Sequence, residues 1–319
     1  MDEKKITIDD FKTISKRDKD KLKKFGILYP EEVLILTHTA LVNYIELSPE
    51  SADKILQEAV RLTEDEGILM LEDLEREERE RRFLKTGSNN LDDILRGGYI
   101  SKSVTELAGE FGSGKTQACL TAIGTVFLPP EEGGLNEGDI SVIMMDTEGT
   151  FSLDRLTPIF RRFDIDPNEA RSKIIKMKPR NSHEQLRMIL QSIGIVRDRN
   201  VKLYIVDSIT KFPRIDFEGR EELYERQRMI LQIVEILRRI AQTYNIIVLV
   251  TNQVVSIPDE RFGGEKVPVG GNVLGHTVDT RLYLKKQVED IRLVKIIDSS
   301  WLPPRKTRIR VTEAGITDP

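Results

Sequence analysis

Eight consecutive residues constrain this chain more than any other feature. Gly109-Glu110-Phe111-Gly112-Ser113-Gly114-Lys115-Thr116 fits the pattern G-x-x-x-x-G-K-S/T, with an apolar run at 104–108 before it and a helix-like stretch at 117–127 after it. Strand, glycine loop and helix in that order turn a glycine-rich segment into a phosphate cradle. The glycines let backbone N–H groups converge on phosphate oxygens, Lys115 brings a point charge to the outer phosphates, and the Thr116 hydroxyl can ligate Mg²⁺. The positive end of the following helix also favours anions. A glycine-rich turn matching by chance would lack the flanking strand and helix, so the segment implies a nucleoside triphosphate site.

The chain has 319 residues, 39% hydrophobic and 32% charged, enough for one large domain and one small one. No apolar run reaches bilayer-spanning length, and Met1 to Lys5 is followed by polar sequence, so neither a membrane span nor a secretory signal is predicted and the expected location is cytoplasmic. The single cysteine, Cys119, excludes disulfides and a cysteine zinc site, and its position after the loop suits a small buried apolar residue. A net charge of −4 requires any nucleic-acid surface to be gathered locally.

Residues 1–62 carry short helical apolar faces, including Leu22, Val33, Leu41 and Ile55, and are predicted to form a small all-α N-terminal domain. Residues 63–83 read as a charged, solvated linker, with Glu75/Arg79, Glu77/Arg81 and Glu78/Arg82 spaced for i,i+4 pairs on a helix. From 84 to 319, β-rich runs at 104–108, 142–146, 203–207, 246–251, 281–284, 293–297 and 307–311 alternate with helical stretches. Three of these runs are almost continuously apolar, as strands buried on both faces are. The fold class is therefore α/β, with a mainly parallel central sheet and ligands at the carboxyl ends of its strands.

Candidate chemistry falls at those ends. The run at 203–207 ends in Asp207, which either caps the next turn or, beside a phosphate loop, holds a metal-bound water. The run at 142–146 leads into Asp146-Thr147-Glu148-Gly149-Thr150, where Glu148 is either a helix-start acid or the group that orients or deprotonates an attacking water. Gln253 follows the run at 246–251 and is either a sensor of the outer phosphate or a surface amide. Residues 256–269 are polar and glycine-rich, predicted as a mobile functional loop. Gly270-Gly271 and His276 follow, and a lone histidine is structural or catalytic on this reading.

Taken in order, Thr86-Gly87-Ser88, Gly109 to Gln117, Asp146 to Phe151, Leu203 to Ser208, Gly219-Arg220 with Arg226-Gln227, Val250 to Val254, Gly270 to Arg281 and Asp298-Ser299 resemble the RecA/RadA recombinase family, nearest its archaeal branch, over about residues 84–319. The resemblance implies a RecA-like P-loop core: a DNA-dependent ATPase using ATP and Mg²⁺. Such a protein assembles on single-stranded DNA as a filament or ring and exchanges strands with homologous double-stranded DNA. It further implies that residues 109–117 bind the nucleotide, with Lys115 and Thr116 on phosphates and Mg²⁺, Asp207 on the metal water and Glu148 activating the attacking water. Arg155 would lie against adenine, Gln253 and His276 would report the γ-phosphate to DNA, and Asp298 would cap the ATP of a neighbouring subunit. The first DNA loop would span 214–227, carrying Arg214, Arg220 and Arg226, and the second about 254–269.

The chain departs from that family pattern in several places. Ile45-Glu46-Leu47-Ser48-Pro49-Glu50 stands where a glycine hairpin is expected, and Ile68-Leu69-Met70-Leu71 stands where a Phe-x-x-Ala subunit-docking motif is usual. Leucine is too bulky for a pocket shaped around alanine. Ser152 replaces an arginine, Glu221 sits beside Arg220 in place of glycine, and Ser300 replaces a proline. These departures keep a second reading open, that of an accessory paralogue which binds ATP and DNA and assists another recombinase.

Overall fold

The computed structural model of the protein describes residues 5–63, 70–219, 221–256, 266–269, 274–275 and 277–319. Among them no helix is long and apolar enough to cross a membrane. The N-terminal part is helical: α1 (Lys16–Lys24), α2 (Pro30–Ile35), α3 (His38–Asn43) and α4 (Pro49–Thr63). Each start has a local cause. Ser15 accepts from the Asp18 N–H at 3.2 Å, Thr37 accepts from the Ala40 N–H at 3.1 Å, and Pro30 opens α2. The turn between α3 and α4 lacks glycine, yet Glu46 takes the left-handed conformation a glycine would take, with φ 62°. A non-glycine residue there costs about 1–2 kcal/mol; the Lys21 ammonium grips the Glu46 carbonyl and helps to hold it.

Beyond this part, α5 (Leu71–Arg79) buries none of its residues, and Met70 and Leu71 are each 72% exposed. Of the three spaced ion pairs, Glu75–Arg79 forms at 3.4 Å. The helix ends at Arg79, so the other two spacings fall outside it, and Arg82 turns instead to Glu137. Ile68 and Leu69 lie outside the described residues.

The core begins with a ribbon, β1 (Phe83–Leu84) and β2 (Tyr99–Ile100), around α6 (Asn89–Ile94). The strands that follow are β3 (Ser103–Gly109), β4 (Ser141–Asp146), β5 (Ile174–Met177), β6 (Val201–Asp207), β7 (Ile247–Asn252), the short β8 (Val254–Ser256) and β9 (Lys266–Pro268), β10 (Thr280–Lys286), β11 (Ile291–Ser299), β12 (Lys306–Thr312) and β13 (Gly315–Thr317). Nine of them form one sheet in the order β13-β12-β11-β10-β3-β7-β6-β4-β5. From β10 to β5 every pairing is parallel; β10 to β13 pair antiparallel. All residues of β3, β4 and β7 are buried, which is why their sequences run apolar without alternation. The seven expected strands are present; β5 and β13, short and at the sheet edges, gave no clear signal. The segment expected as a loop throughout has paired ends, since β8 and β9 form an antiparallel ribbon, while 257–265 lie outside the described residues.

Helices α7 (Lys115–Thr125), α8 (Leu153–Arg162), α9 (Pro167–Ser172), α10 (Ser182–Asp198), α11 (Lys211–Asp216) and α12 (Leu223–Tyr244) complete the core. One apolar cluster, with α7 and α8, fills one face of the sheet and contains the fully buried Cys119. A second covers the other face and runs without a break from Leu190, Ile193, Leu237 and Ile240 into Ile8, Val33, Leu41 and Ile55. The N-terminal helices are thus seated on α10 and α12. Gly26 and Gly194 meet back to back: a Cβ on Gly26 would lie 3.2 Å from the Gly194 Cα. Glu32, 1% exposed, accepts from the Leu28 N–H at 2.7 Å, the Tyr29 N–H at 3.1 Å, the Tyr244 hydroxyl at 2.7 Å and the Arg197 guanidinium.

Candidate functional site

The carboxyl ends of β3, β4, β6 and β7 converge on a cleft of about 340 Å³. Residues 111–117 form one wall; Glu148, Asp207, Ser208 and Gln253 form the opposite one. Gly109 cannot be replaced without strain, because a Cβ there would lie 2.4 Å from the Leu284 carbonyl oxygen of the adjacent strand. The Lys115 ammonium rests on the Gly109 and Glu110 carbonyls, both at 2.8 Å. Burial lowers its pKa while Asp207 and Glu148 pull it back up, so the cleft holds a desolvated cation facing carboxylates.

Opposite Lys115, the Thr116 hydroxyl donates to Asp207 Oδ2 at 2.7 Å, and the Thr251 hydroxyl donates to the other carboxylate oxygen. Asp207 is 2% exposed, and burial raises its pKa against the effect of the two hydroxyls. A buried carboxylate beside a hydroxyl is a hard-oxygen donor set that fits Mg²⁺. Thr116 and Asp207 are the residues that would hold the ion, which would neutralise phosphate charge there.

Asp146 organises the loop that bears Glu148. It accepts from the N–H groups of Gly149, Thr150 and Phe151 at 2.8, 3.2 and 3.3 Å and pairs with Lys176 at 3.0 Å. Glu148 does not start a helix: Ser152, in place of the expected arginine, caps α8 by accepting from the Asp154 N–H at 3.2 Å. Glu148 instead lines the cleft and accepts from the Ser208 hydroxyl at 2.7 Å. Gln117, on the first turn of α7, faces Arg155, and with its amide turned so that the oxygen meets the guanidinium it accepts from Nε at 3.0 Å. Both residues also wall a neighbouring recess with Asp290, Val311 and Thr312.

Gln253 is not a free surface amide. It lines the cleft, and its oxygen accepts from Arg214 Nη1 at 3.2 Å. Arg214 sits on α11, whose Lys211 donates to the Thr147 carbonyl at 2.7 Å. At the other end of α11, Asp216 accepts from the Ser182 N–H at 2.7 Å. This short helix therefore bridges the cleft, the first expected DNA loop and the start of α10. Arg226 is half-buried on the first turns of α12. Arg220, His276, Gly270 and Gly271 lie outside the described residues. Asp298 is exposed on β11, in register with Arg281 and apart from the residues that line its own chain's cleft. Ser300 donates its N–H to the Asp279 carbonyl at 3.3 Å, a bond proline cannot make.

Five cleft residues were given no role by sequence reasoning: Thr150, Ser208, Thr251, Arg292 and Val311. Ser208 and Thr251 adjoin strand ends already singled out and could have been read from them. Arg292 and Val311 come from the antiparallel half of the sheet, and no local pattern marks them.

The chain matches the Rad51 family over residues 78–319. It is 41% identical over 247 residues to the protein named DNA repair and recombination protein RadA of Aeropyrum pernix, covering 77% of this chain and 76% of that one. It is 37% identical over 271 residues to the protein of the same name from Ignicoccus hospitalis, covering 84% of this chain and 83% of that one. With a match that spans the phosphate loop and the whole nine-stranded sheet, and with relatives this similar over most of both chains, the chain belongs to the Rad51 family, on the archaeal RadA-like branch of the RecA/RadA recombinases.

Proposed function

We propose that the chain is a homologous-recombination protein that assembles on single-stranded DNA, hydrolyses ATP with Mg²⁺, and pairs that DNA with a homologous duplex. The observation that carries this reading is the bond from Arg214 to Gln253, because it ties the first loop to the wall of the nucleotide cleft. In this reading Lys115 exchanges its two carbonyl partners for phosphate oxygens, which keeps the cation satisfied in both states. Glu148, held by Ser208, orients or deprotonates the attacking water. Gln253 senses the outer phosphate, and Arg214 carries the change into α11. Arg155 and Gln117 face the base, and Arg220 and Arg226 neutralise DNA phosphates. Residues 1–62 act as a helical unit seated on the core, and 63–83 as the connection through which neighbouring subunits associate.

The names of the relatives, DNA repair and recombination protein RadA, support a recombinase over an accessory role. Electron microscopy with an ATP analogue and single-stranded DNA, alongside a strand-exchange assay, tests the proposal. Helical filaments with exchanged product are expected. Binding without exchange transfers the chain to the accessory class, and absence of ATP hydrolysis in the presence of DNA overturns the enzymatic reading.

A further inference from the structure

We infer that Arg292 is a nucleotide-binding residue that takes the α-phosphate, the one nearest the base. The inference rests on the ATP-site reading above. Arg292 stands on β11, is 8% exposed, and lines the cleft beside Gly114 of the glycine loop. Its guanidinium is anchored at one end, where Nη1 donates to the Glu289 carbonyl at 3.0 Å and the Ile291 carbonyl at 2.9 Å. Its Nε is buried and has no hydrogen-bond partner among the described residues. Among the described residues its hydrogen-bond partners are thus two neutral carbonyls from its own hairpin, and no carboxylate pairs with its charge. A buried cation with an unpaired donor is costly by itself and becomes favourable when an anion arrives. The rigid fork of the guanidinium, held at Nη1 by two carbonyls, keeps the buried, unpaired Nε–H fixed beside the cleft.

The position selects the phosphate. A Cβ on Gly114 would lie 3.1 Å from a Val311 methyl and 3.6 Å from the Arg292 Cγ, so both side chains lean on the same point of the loop. Val311 also walls the recess of Arg155 and Gln117, which Glu148, Asp207 and Gln253 do not line, and the Lys115 amine lies within the electrostatic reach of Glu148 and Asp207. Arg292 is therefore on the base side of the loop, away from the outer phosphates. Backbone N–H groups of such loops cradle the inner phosphates while the lysine serves the outer ones, which leaves the α-phosphate as the anion within the reach of this arginine.

The test is binding of ATP, ADP and AMP with Mg²⁺ to the full chain, by titration or by competition with a fluorescent nucleotide, for wild type, Arg292→Gln, Arg292→Lys and Lys115→Ala. Arg292→Gln is expected to weaken all three nucleotides by a similar factor, about tenfold or more, the effect of one charge-assisted hydrogen bond. Lys115→Ala is expected to weaken ATP and ADP much more than AMP. Arg292→Lys, which keeps the charge but loses the fork, should fall between wild type and the glutamine variant. Wild-type affinity for all three nucleotides in Arg292→Gln overturns the inference, and so does a loss confined to ATP and ADP. If both Arg292 variants melt early yet bind normally once folded, the residue only braces its hairpin and the inference fails. A wild-type chain that binds neither ATP nor ADP removes the ATP-site reading itself.

Discussion

At the nucleotide cleft, seven adjacent residues, 111–117, make one wall, and Glu148, Asp207 and Gln253 come from the ends of neighbouring parallel strands. At the seam between the N-terminal helices and the core, Gly26 meets Gly194 and Glu32 meets Arg197 and Tyr244, partners far apart in sequence. Both regions bury charge. Glu32 has four donors around its carboxylate, whereas Asp207 is shared between two hydroxyls and Arg292 retains an unpaired N–H. The contrast is that a buried ion fully paired within its own chain marks assembly, and one with a donor left unpaired beside a cleft fits a ligand.

Substitutions can break this contrast. The largest expected effect is in the cleft: Glu148→Gln should reduce ATP turnover about 10²–10⁴-fold with nucleotide affinity largely kept, while Lys115→Ala should lower affinity itself by about thirtyfold or more. Neither should shift the melting temperature of the nucleotide-free protein appreciably. Paired binding, turnover and melting measurements check this, and unimpaired turnover in the glutamine variant removes Glu148 from its role.

The seam should behave in the opposite way. Glu32→Ala strips the carboxylate from Arg197 and Tyr244 and is expected to cost about 3–5 kcal/mol of stability, with nucleotide affinity per folded molecule unchanged. Gly194→Leu, forced against the Gly26 carbonyl, should cost about 1–3 kcal/mol by overpacking. Calorimetry with and without ATP decides, and a seam variant that loses affinity without losing stability would dissolve the distinction between the two regions.

A third region sharpens it. Met70, Leu71 and Leu74 are exposed on and beside a helix with no buried residue, so they belong neither to the seam nor to the cleft. Changing all three to alanine is expected to remove about 2 kcal/mol or more of subunit association while leaving monomer melting intact, read by sedimentation with ATP and DNA. The smallest effect concerns DNA: Arg220→Ala or Arg226→Ala should each lower the log–log salt slope of binding by about 1, and an unchanged slope would assign DNA to other residues.

The same contrast explains what the sequence could tell. The glycine loop, Asp207 and Glu148 were legible because each lies within a few residues of an apolar strand, and strand ends carry ligands in parallel sheets. The seam was illegible because Gly26 and Gly194 have meaning only when α1 and α10 are already packed. Glu46 shows a subtler limit: the missing glycine suggested a lost hairpin, yet the backbone adopts the left-handed turn with glutamate in place. Arg292 carries no such signal, since nothing near it in the chain resembles a phosphate site.

The glycine-to-glycine contact of the seam also sets an order of events during synthesis. Residues 5–63 are made before the surface they cover, on α10 and α12, which is not complete until Tyr244 has been made. Between Gly26 and Tyr244, at roughly 5–20 residues per second, the ribosome needs about 10–40 s. Through that interval the nascent helices carry an apolar face whose natural cover does not yet exist, so they must hold together by their own small core or borrow a chaperone. Once α12 is made, the helices of residues 5–63 close on the face of the sheet that α10 and α12 cover.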